Sequence, residues 1–377
     1  MRHPAVRLCA VLSVVALAAS GCGGDDSEDT PTTGGLQVAA SHDEIVEKAR
    51  AEGPFTIVWT RAADLEDDPT LLDSFYEQYP FMKGRVTVEN QDGVEARQRF
   101  LLEVEAGAQS DYAAGWTAVE IYDEMTKLCD WDVYGMAQSG VLDIPIEMID
   151  PNKRTVVAAG STAAVFGYNK AYFQSHPLPK TWDELLDPAV YGQPAGFRML
   201  ADVRAANFSA LVEKWGLDKA KEYYGKLASD IKPTWVQRFA GPSIQMAQGE
   251  FQGFPFVNAS SIAGRQADNP GMDIALIDPV PIYITETHCV FKNSMNNAPY
   301  SGLLWLEWTA SQGGQKALES KSSPYRSHFS SDYPGGLADL VKGHELSICT
   351  WGCFEQQQKY IEEIIGAAGF PKATDGG

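Results

Sequence analysis

The sequence is short of positive charge. Thirty Lys and Arg stand against 50 Asp and Glu, a formal net charge of -20. Such a surface repels phosphates at every approach, which argues against a nucleic-acid partner. Histidine is scarce too. The six (His3, His42, His176, His288, His328, His344) are scattered, and no His-x-x-x-His pair occurs. There is no Gly-x-Ser-x-Gly elbow. A hydrolase is therefore left without its usual sequence marks. Long apolar runs are missing as well. Leu8–Ala19 is too short for a permanent span, which takes about 18 residues, and no later window approaches that length.

What is present is a 377-residue chain, 44% apolar. At roughly 150 residues per domain this suggests two domains. Residues 1–21 have the form of an export signal: Arg2 and Arg7, the Leu8–Ala19 run, then small residues. Cys22 follows directly, placed as in the lipobox of bacterial lipoproteins, with Ala19 where that pattern usually has Leu. A lipid on Cys22 is expected. Residues 22–40 begin GGDDSEDTPTTGG after the cysteine and cannot bury a core, so they read as a flexible tether. Cys129, Cys289, Cys349 and Cys353 remain. In an exported chain an even set suggests disulfides, and four cysteines allow three pairings. Cys349 and Cys353 can close locally, leaving Cys129 with Cys289. A zinc site is the rival, but no His stands near that pair at ligand spacing.

The body opens at Ser41, with Glu44 completing a capping box. Phe55–Trp59, Arg85–Glu89 and a weak run ending at Gly115-Trp116-Thr117 read as strands. Helical patterns lie between them, at Leu71–Tyr79 and at Val94–Gly107, and another follows at Ala118–Leu128. Strands alternating with helices imply a parallel sheet with covered faces, and ligands bind beyond the carboxyl ends of such strands. Thr60, Arg61, Trp116 and Thr117 fall on that edge.

Thr155–Lys170 is the stretch that organises the rest. It is apolar and extended, and longer than the about 3–10 residues of an ordinary strand. One segment serving two sheets explains that length, with Gly160-Ser161-Thr162 in the gap between lobes. The alternative is a bulge within one large sheet. The pattern then restarts. Strands are expected at Phe197–Ala201, Pro233–Val236 and Gly253–Val257, the last followed by Asn258-Ala259-Ser260-Ser261 at a helix start. Met272–Ile277 and Ile282–Phe291, split by Asp278-Pro279, read as the return crossing. The expected fold is α/β with two lobes, each a mainly parallel sheet flanked by helices, joined by two crossing strands. Lobe 1 takes 41–160 and 278–325, lobe 2 takes 161–277, and 326–377 is a C-terminal helical segment packing on both.

Several segments resemble the extracellular solute-binding proteins of ABC importers, in the branch of ferric-ion and spermidine/putrescine binders. They are FTIVWTRAAD, GSTAAVFGYNKAYF followed by LPKTWDELLDPAVYG, GPSIQMAQGE, and NNAPYSGLLWLEWTASQGGQKAL. The likeness covers roughly residues 42–330. It implies a monomer that closes by a hinge on a small solute, a permease and its ATPase as partners, no catalysis and no cofactor. A lipid-held receptor would gain effective concentration near its transporter. The family's ferric members place two adjacent tyrosines after the strand that is Gly253–Val257 here, where this chain has Asn258-Ala259-Ser260-Ser261. Tyr223-Tyr224 are adjacent, but they sit in a helical pattern.

Thr, Ser, Asn, Arg and Trp suit an organic anion or zwitterion better than a hard metal ion, which wants anionic oxygens. The candidate ligand-binding residues are Thr60, Arg61, Trp116, Thr117, Ser161, Thr162, Arg204, Trp235, Asn258, Ser260 and Glu286. Arg61 and Arg204 would pair with charge, Trp116 and Trp235 would enclose the ligand, and Glu286 would meet an amine. Each has a plainer reading, as a surface cation, a core aromatic or a solvated acid. No metal site is expected. Alternative functions are a ferric-binding protein with other ligands, a sensory subunit with the same cleft, and an exported hydrolase.

Overall fold

A computed structural model describes residues 32–33, 35–62, 64–90, 101–102, 106, 111–117, 122–191, 196–200, 206–236, 239–292, 298–319, 324–329 and 335–371. The strands are β1 (Thr32–Thr33), β2 (Leu36–Gln37), β3 (Phe55–Val58), β4 (Val86–Glu89), β5 (Ala114–Thr117) and β6 (Val157–Asn169). They continue as β7 (Arg198–Leu200), β8 (Thr234–Val236), β9 (Gly253–Asn258), β10 (Met272–Ala275), β11 (Val280–Val290) and β12 (Leu346–Cys349).

Two of these are unusually long, and they are the two that the sequence marks. β6 runs 13 residues and β11 runs 11. The first half of β6 pairs antiparallel with β11, from Val157↔His288 to Ala163↔Ile282. Its second half pairs with β9 and β10. β11 in turn gives Val290–Thr287 to β5 and Val280–Tyr283 to β12. One strand thus serves two sets of neighbours, which is why it exceeds ordinary strand length. Both faces are covered, so almost every residue of β6 is buried, and no polar alternation appears.

On one side of the crossing, β4, β3 and β5 are parallel, as expected where strands alternate with helices. On the other, β8 and β7 are parallel, and a bridge from Phe197 to Gly253 extends them to β9. The sheet turns antiparallel only where the crossing strands join it. β5 approaches β3 so closely at Gly115 that a Cβ there would lie 2.5 Å from the Val58 carbonyl oxygen, and its φ is +152°. Only glycine fits.

The first lobe's core forms around the helix Pro299–Ala310, which is buried from Tyr300 to Ala310. Trp59, Trp305, Trp308 and Phe75 meet edge to face or tilted at 4.8–5.7 Å between ring centres. A second core lies under Phe251, Phe254, Ile262 and Met272. The C-terminal helix Trp351–Ala368 touches both halves: Phe354 meets Tyr122 at 4.9 Å, and Lys221 pairs with Glu363 at 3.3 Å. This C-terminal region also holds a strand, β12, in addition to the expected helix.

At the other end, the body begins before Ser41. Gln37 exchanges backbone bonds with Asp130 and Asp132, and its amide donates to the Asp130 carboxylate at 2.6 Å. Disulfides join Cys129 to Cys289 and Cys349 to Cys353. Among the described residues no helix is long and apolar enough to cross a membrane.

Candidate functional site

The polar residues converge where the two long strands pass. Register shifts flank Glu286 on β11, opposite Gly160 on β6. Such irregularities re-aim side chains. Glu286 is buried, 1% exposed, so it is not the solvated acid of the plainer reading. Thr60, in the turn after β3, donates its hydroxyl to Glu286 Oε2 at 2.6 Å. His288 Nε2 lies 2.8 Å from Oε1, and its Nδ1 lies 3.1 Å from the Trp305 indole nitrogen. An indole N–H can only donate, so Nδ1 is the acceptor, and the ring's proton sits on Nε2, facing the carboxylate. Burial opposes ionisation of Glu286. The hydrogen bonds from His288 and Thr60 and the charge of Arg326 outweigh it and hold the carboxyl below its usual range.

Arg61 follows Thr60 in the same turn, fully buried, with Nε 3.0 Å from Asp64 Oδ2. Burial and the nearby Arg326 charge pull its guanidinium down to about 10, against the opposing pull of Asp64, Glu286 and Glu319. It stays charged at neutral pH.

The Gly160-Ser161-Thr162 break does not open onto an empty slot. A strap, residues 324–329, lies across it. The Ser161 N–H donates to the Arg326 carbonyl at 2.9 Å, and the Thr162 hydroxyl donates to the Tyr325 carbonyl at 2.8 Å. Ser161 Oγ accepts the His328 backbone N–H at 2.9 Å and lies 2.6 Å from His328 Nδ1. The strap is itself anchored. Glu319 accepts the backbone N–H groups of Tyr325, Ser327 and Leu337. Gln315 accepts the Ser327 hydroxyl and donates to the Ala159 carbonyl. Tyr325 takes a left-handed φ of +63°, a strained conformation that such anchoring sustains. Burial pushes the His328 imidazole down to about 4, so the ring is neutral at physiological pH.

From lobe 2, Asn258 at the end of β9 accepts the hydroxyl of Tyr283, which stands opposite Thr162 in the crossing pair. Ser260 is buried in the first turn of the next helix, Ala259–Gln266. The structure therefore brings Thr60, Arg61, Ser161, Thr162, Asn258 and Glu286 to the crossing. Trp116 and Thr117 sit on β5 with backbone opposite His288 and Thr287. Trp235 lies elsewhere, packed on Phe370 at 4.6 Å. Arg204 lies outside the described residues. The site also holds Arg326, His328, Glu319 and Gln315, which the sequence reading did not single out. The tyrosine pair is structural: Tyr223 donates to the Trp182 carbonyl at 2.8 Å, and both rings are buried, which raises both phenols well above the ordinary value. Among the described residues, no group of three or more His, Cys, Asp and Glu could hold a metal ion.

Two α/β lobes joined by crossing strands, with polar groups gathered at the crossing, are the architecture of the periplasmic-type binding proteins. The family of bacterial extracellular solute-binding proteins matches residues 70–327, and the chain belongs to it. Solved structures share the fold. The substrate-binding protein of an ABC transporter from Agrobacterium tumefaciens is 16% identical, TM-score 0.59, over 85% of this chain and 96% of that one. Ferric iron-binding protein A from Mannheimia haemolytica, in an open conformation, is 14% identical, TM-score 0.62, over 85% and 99%. The periplasmic binding protein AfuA from Actinobacillus pleuropneumoniae, with exogenous fructose-6-phosphate bound, is 15% identical, TM-score 0.56, over 84% and 99%. No curated protein matches the sequence. The family and these neighbours are binding proteins rather than enzymes.

Proposed function

We propose that this protein is the extracytoplasmic receptor of an ABC importer, held at the membrane by a lipid on Cys22 and a short tether. Residues 41–160 and 278–325 would form lobe 1, 161–277 lobe 2, and 326–377 would pack on both. Closure of the lobes on a small anionic or zwitterionic solute would present it to a permease, with the receptor acting as a monomer. The observation that carries this reading is the cluster at the crossing. Groups from β3, β6, β9, β11 and the strap meet at one level, so a solute there touches both halves at once. The charged guanidiniums of Arg61 and Arg326 stand beside it, a composition suited to carboxylate or phosphoryl oxygens. AfuA shows this fold holding a phosphorylated solute. A ferric ion is the second reading, favoured by the ferric-binding neighbour. The burial of Tyr223 and Tyr224, with the Tyr223 hydroxyl donated to the Trp182 carbonyl, speaks against it.

A thermal-shift screen of phosphonates, carboxylates, amines and ferric ion tests the proposal. A solute at 100 times its Kd adds about 2.7 kcal/mol of stability. A response to an acidic or zwitterionic solute is expected. A response to ferric ion alone would reverse the assignment.

A further inference from the structure

The acceptors around the crossing are already used by the protein's own donors. Glu319 takes three backbone N–H groups. Glu286 takes Thr60 and His288. The carbonyls of Arg326 and Tyr325 take Ser161 and Thr162. What this wall has left to offer is a donor. Ser161 is fully buried, and among the described residues Nδ1 of His328 is the acceptor its single hydroxyl hydrogen reaches, so the hydroxyl donates to Nδ1 while Oγ accepts the His328 backbone N–H. That fixes the neutral ring with its proton on Nε2. No described residue accepts from Nε2, and the ring lies tilted against Phe329, 4.0 Å between centres. The strap is held at and just before His328: Glu319 accepts the backbone N–H groups of Tyr325 and Ser327, Gln315 accepts the Ser327 hydroxyl, and Ser161 accepts the N–H of His328 itself.

We infer that the Nε2–H of His328 is a specificity-determining donor, aimed at an oxygen acceptor of the bound solute, with Ser161 as the residue that positions it. This rests on the solute-binding reading above. It commits that site to ligands bearing carboxylate, phosphonate or phosphate oxygen. A polyamine, which brings only donors, meets the Nε2–H with no acceptor, and a buried unmatched donor costs affinity.

The test titrates the intact protein with inorganic phosphate, methylphosphonate, succinate and spermidine by calorimetry. Wild type is compared with His328→Ala, His328→Gln and Ser161→Ala, and ligand-free melting is recorded for each. At least one of the three oxyanions should bind wild type. His328→Ala should weaken it about tenfold or more, the effect of one lost hydrogen bond to a charged group. His328→Gln, which restores an N–H donor, should recover most of that loss. Ser161→Ala should weaken binding by a smaller factor at unchanged ring identity. Nitrogen-15 spectra of the wild-type ring at pH 7 should show Nε2 protonated and Nδ1 bare. Oxyanion binding that His328→Ala and Ser161→Ala leave within twofold overturns this inference alone, as does a proton found on Nδ1. Binding of spermidine alone, or of none of the four, overturns it together with the anionic-solute reading.

Discussion

Trp305 donates its indole N–H to Nδ1 of His288 at 3.1 Å, and through that bond the aromatic core of lobe 1 reaches the crossing. His288 passes the constraint to Glu286, and Glu286 to Thr60, so the turn carrying Arg61 is held by a buried chain of hydrogen bonds that begins inside a helix. Trp305→Phe keeps an aromatic ring in the core but leaves Nδ1 without a donor. The ring can then flip its proton and abandon Glu286. A loss of about 1–3 kcal/mol is expected, the cost of an unmet buried polar group, read by urea denaturation.

Glu286→Gln removes the charge from that chain. The carboxyl is held below its ordinary value of 4.5 in the folded protein, so its stabilising effect is complete above that pH and fades as pH falls below it. Melting curves of wild type and Glu286→Gln should therefore differ most at pH 6–8, by about 1–3 kcal/mol, and converge as the pH is taken below about 4.5. A gap that widens on acidification would contradict the depressed carboxylate.

Gly160 is a steric test of the crossing. A Cβ there would meet Glu286 Cβ at 3.3 Å and the Arg326 carbonyl at 3.4 Å. Gly160→Ala needs only a small adjustment and should cost about 1 kcal/mol. Gly160→Val should cost about 1–3 kcal/mol by overpacking and should weaken solute binding, because it pushes the strap off β6. Paired denaturation and titration curves separate the two effects.

The two disulfides should contribute unequally. Cys129–Cys289 closes 160 residues and Cys349–Cys353 closes four. Loop-closure entropy gives about 5 kcal/mol for the first and about 2 for the second as upper values. Non-reducing peptide mapping should recover both pairs. Replacing Cys129 and Cys289 by Ala should lower stability more than replacing Cys349 and Cys353.

Much of the architecture was readable because it follows from local pattern. Thr155–Lys170 was too long and too apolar for an ordinary strand, and β6 does serve two sets of neighbours, though within one continuous eight-stranded sheet with bulges, which was the alternative reading. The alternation of strands with helices foretold the parallel pairing of β3, β4 and β5. Asking which residues lie at strand ends and breaks points to Thr60, Arg61, Ser161 and Glu286, and these do lie at the crossing of β6 and β11. The strap was not legible. Pro324–Phe329 has no periodicity, and its bonds to Ser161 and Thr162 span more than 160 residues of sequence. Arg326 and His328 therefore looked like unremarkable polar residues near the tail. The surroundings of Trp235 were not legible either. It sits on a short strand, and the ring it packs against, Phe370, comes from far along the chain. β12 went unnoticed because Leu-Ser-Ile-Cys is too short to stand out and owes its form to pairing with β11.

On the proposed function, a small oxyanionic solute binds at the crossing, between the guanidiniums of Arg61 and Arg326. Calorimetric titration of the metal-free protein, wild type and Arg61→Ala side by side, tests it most directly. A carboxylate, phosphonate or phosphate should bind wild type, and Arg61→Ala should lose at least about 1.5 kcal/mol of that affinity, the low end for a charge-assisted hydrogen bond. Equal affinity in the two proteins, or binding of ferric ion in place of any oxyanion, would contradict it.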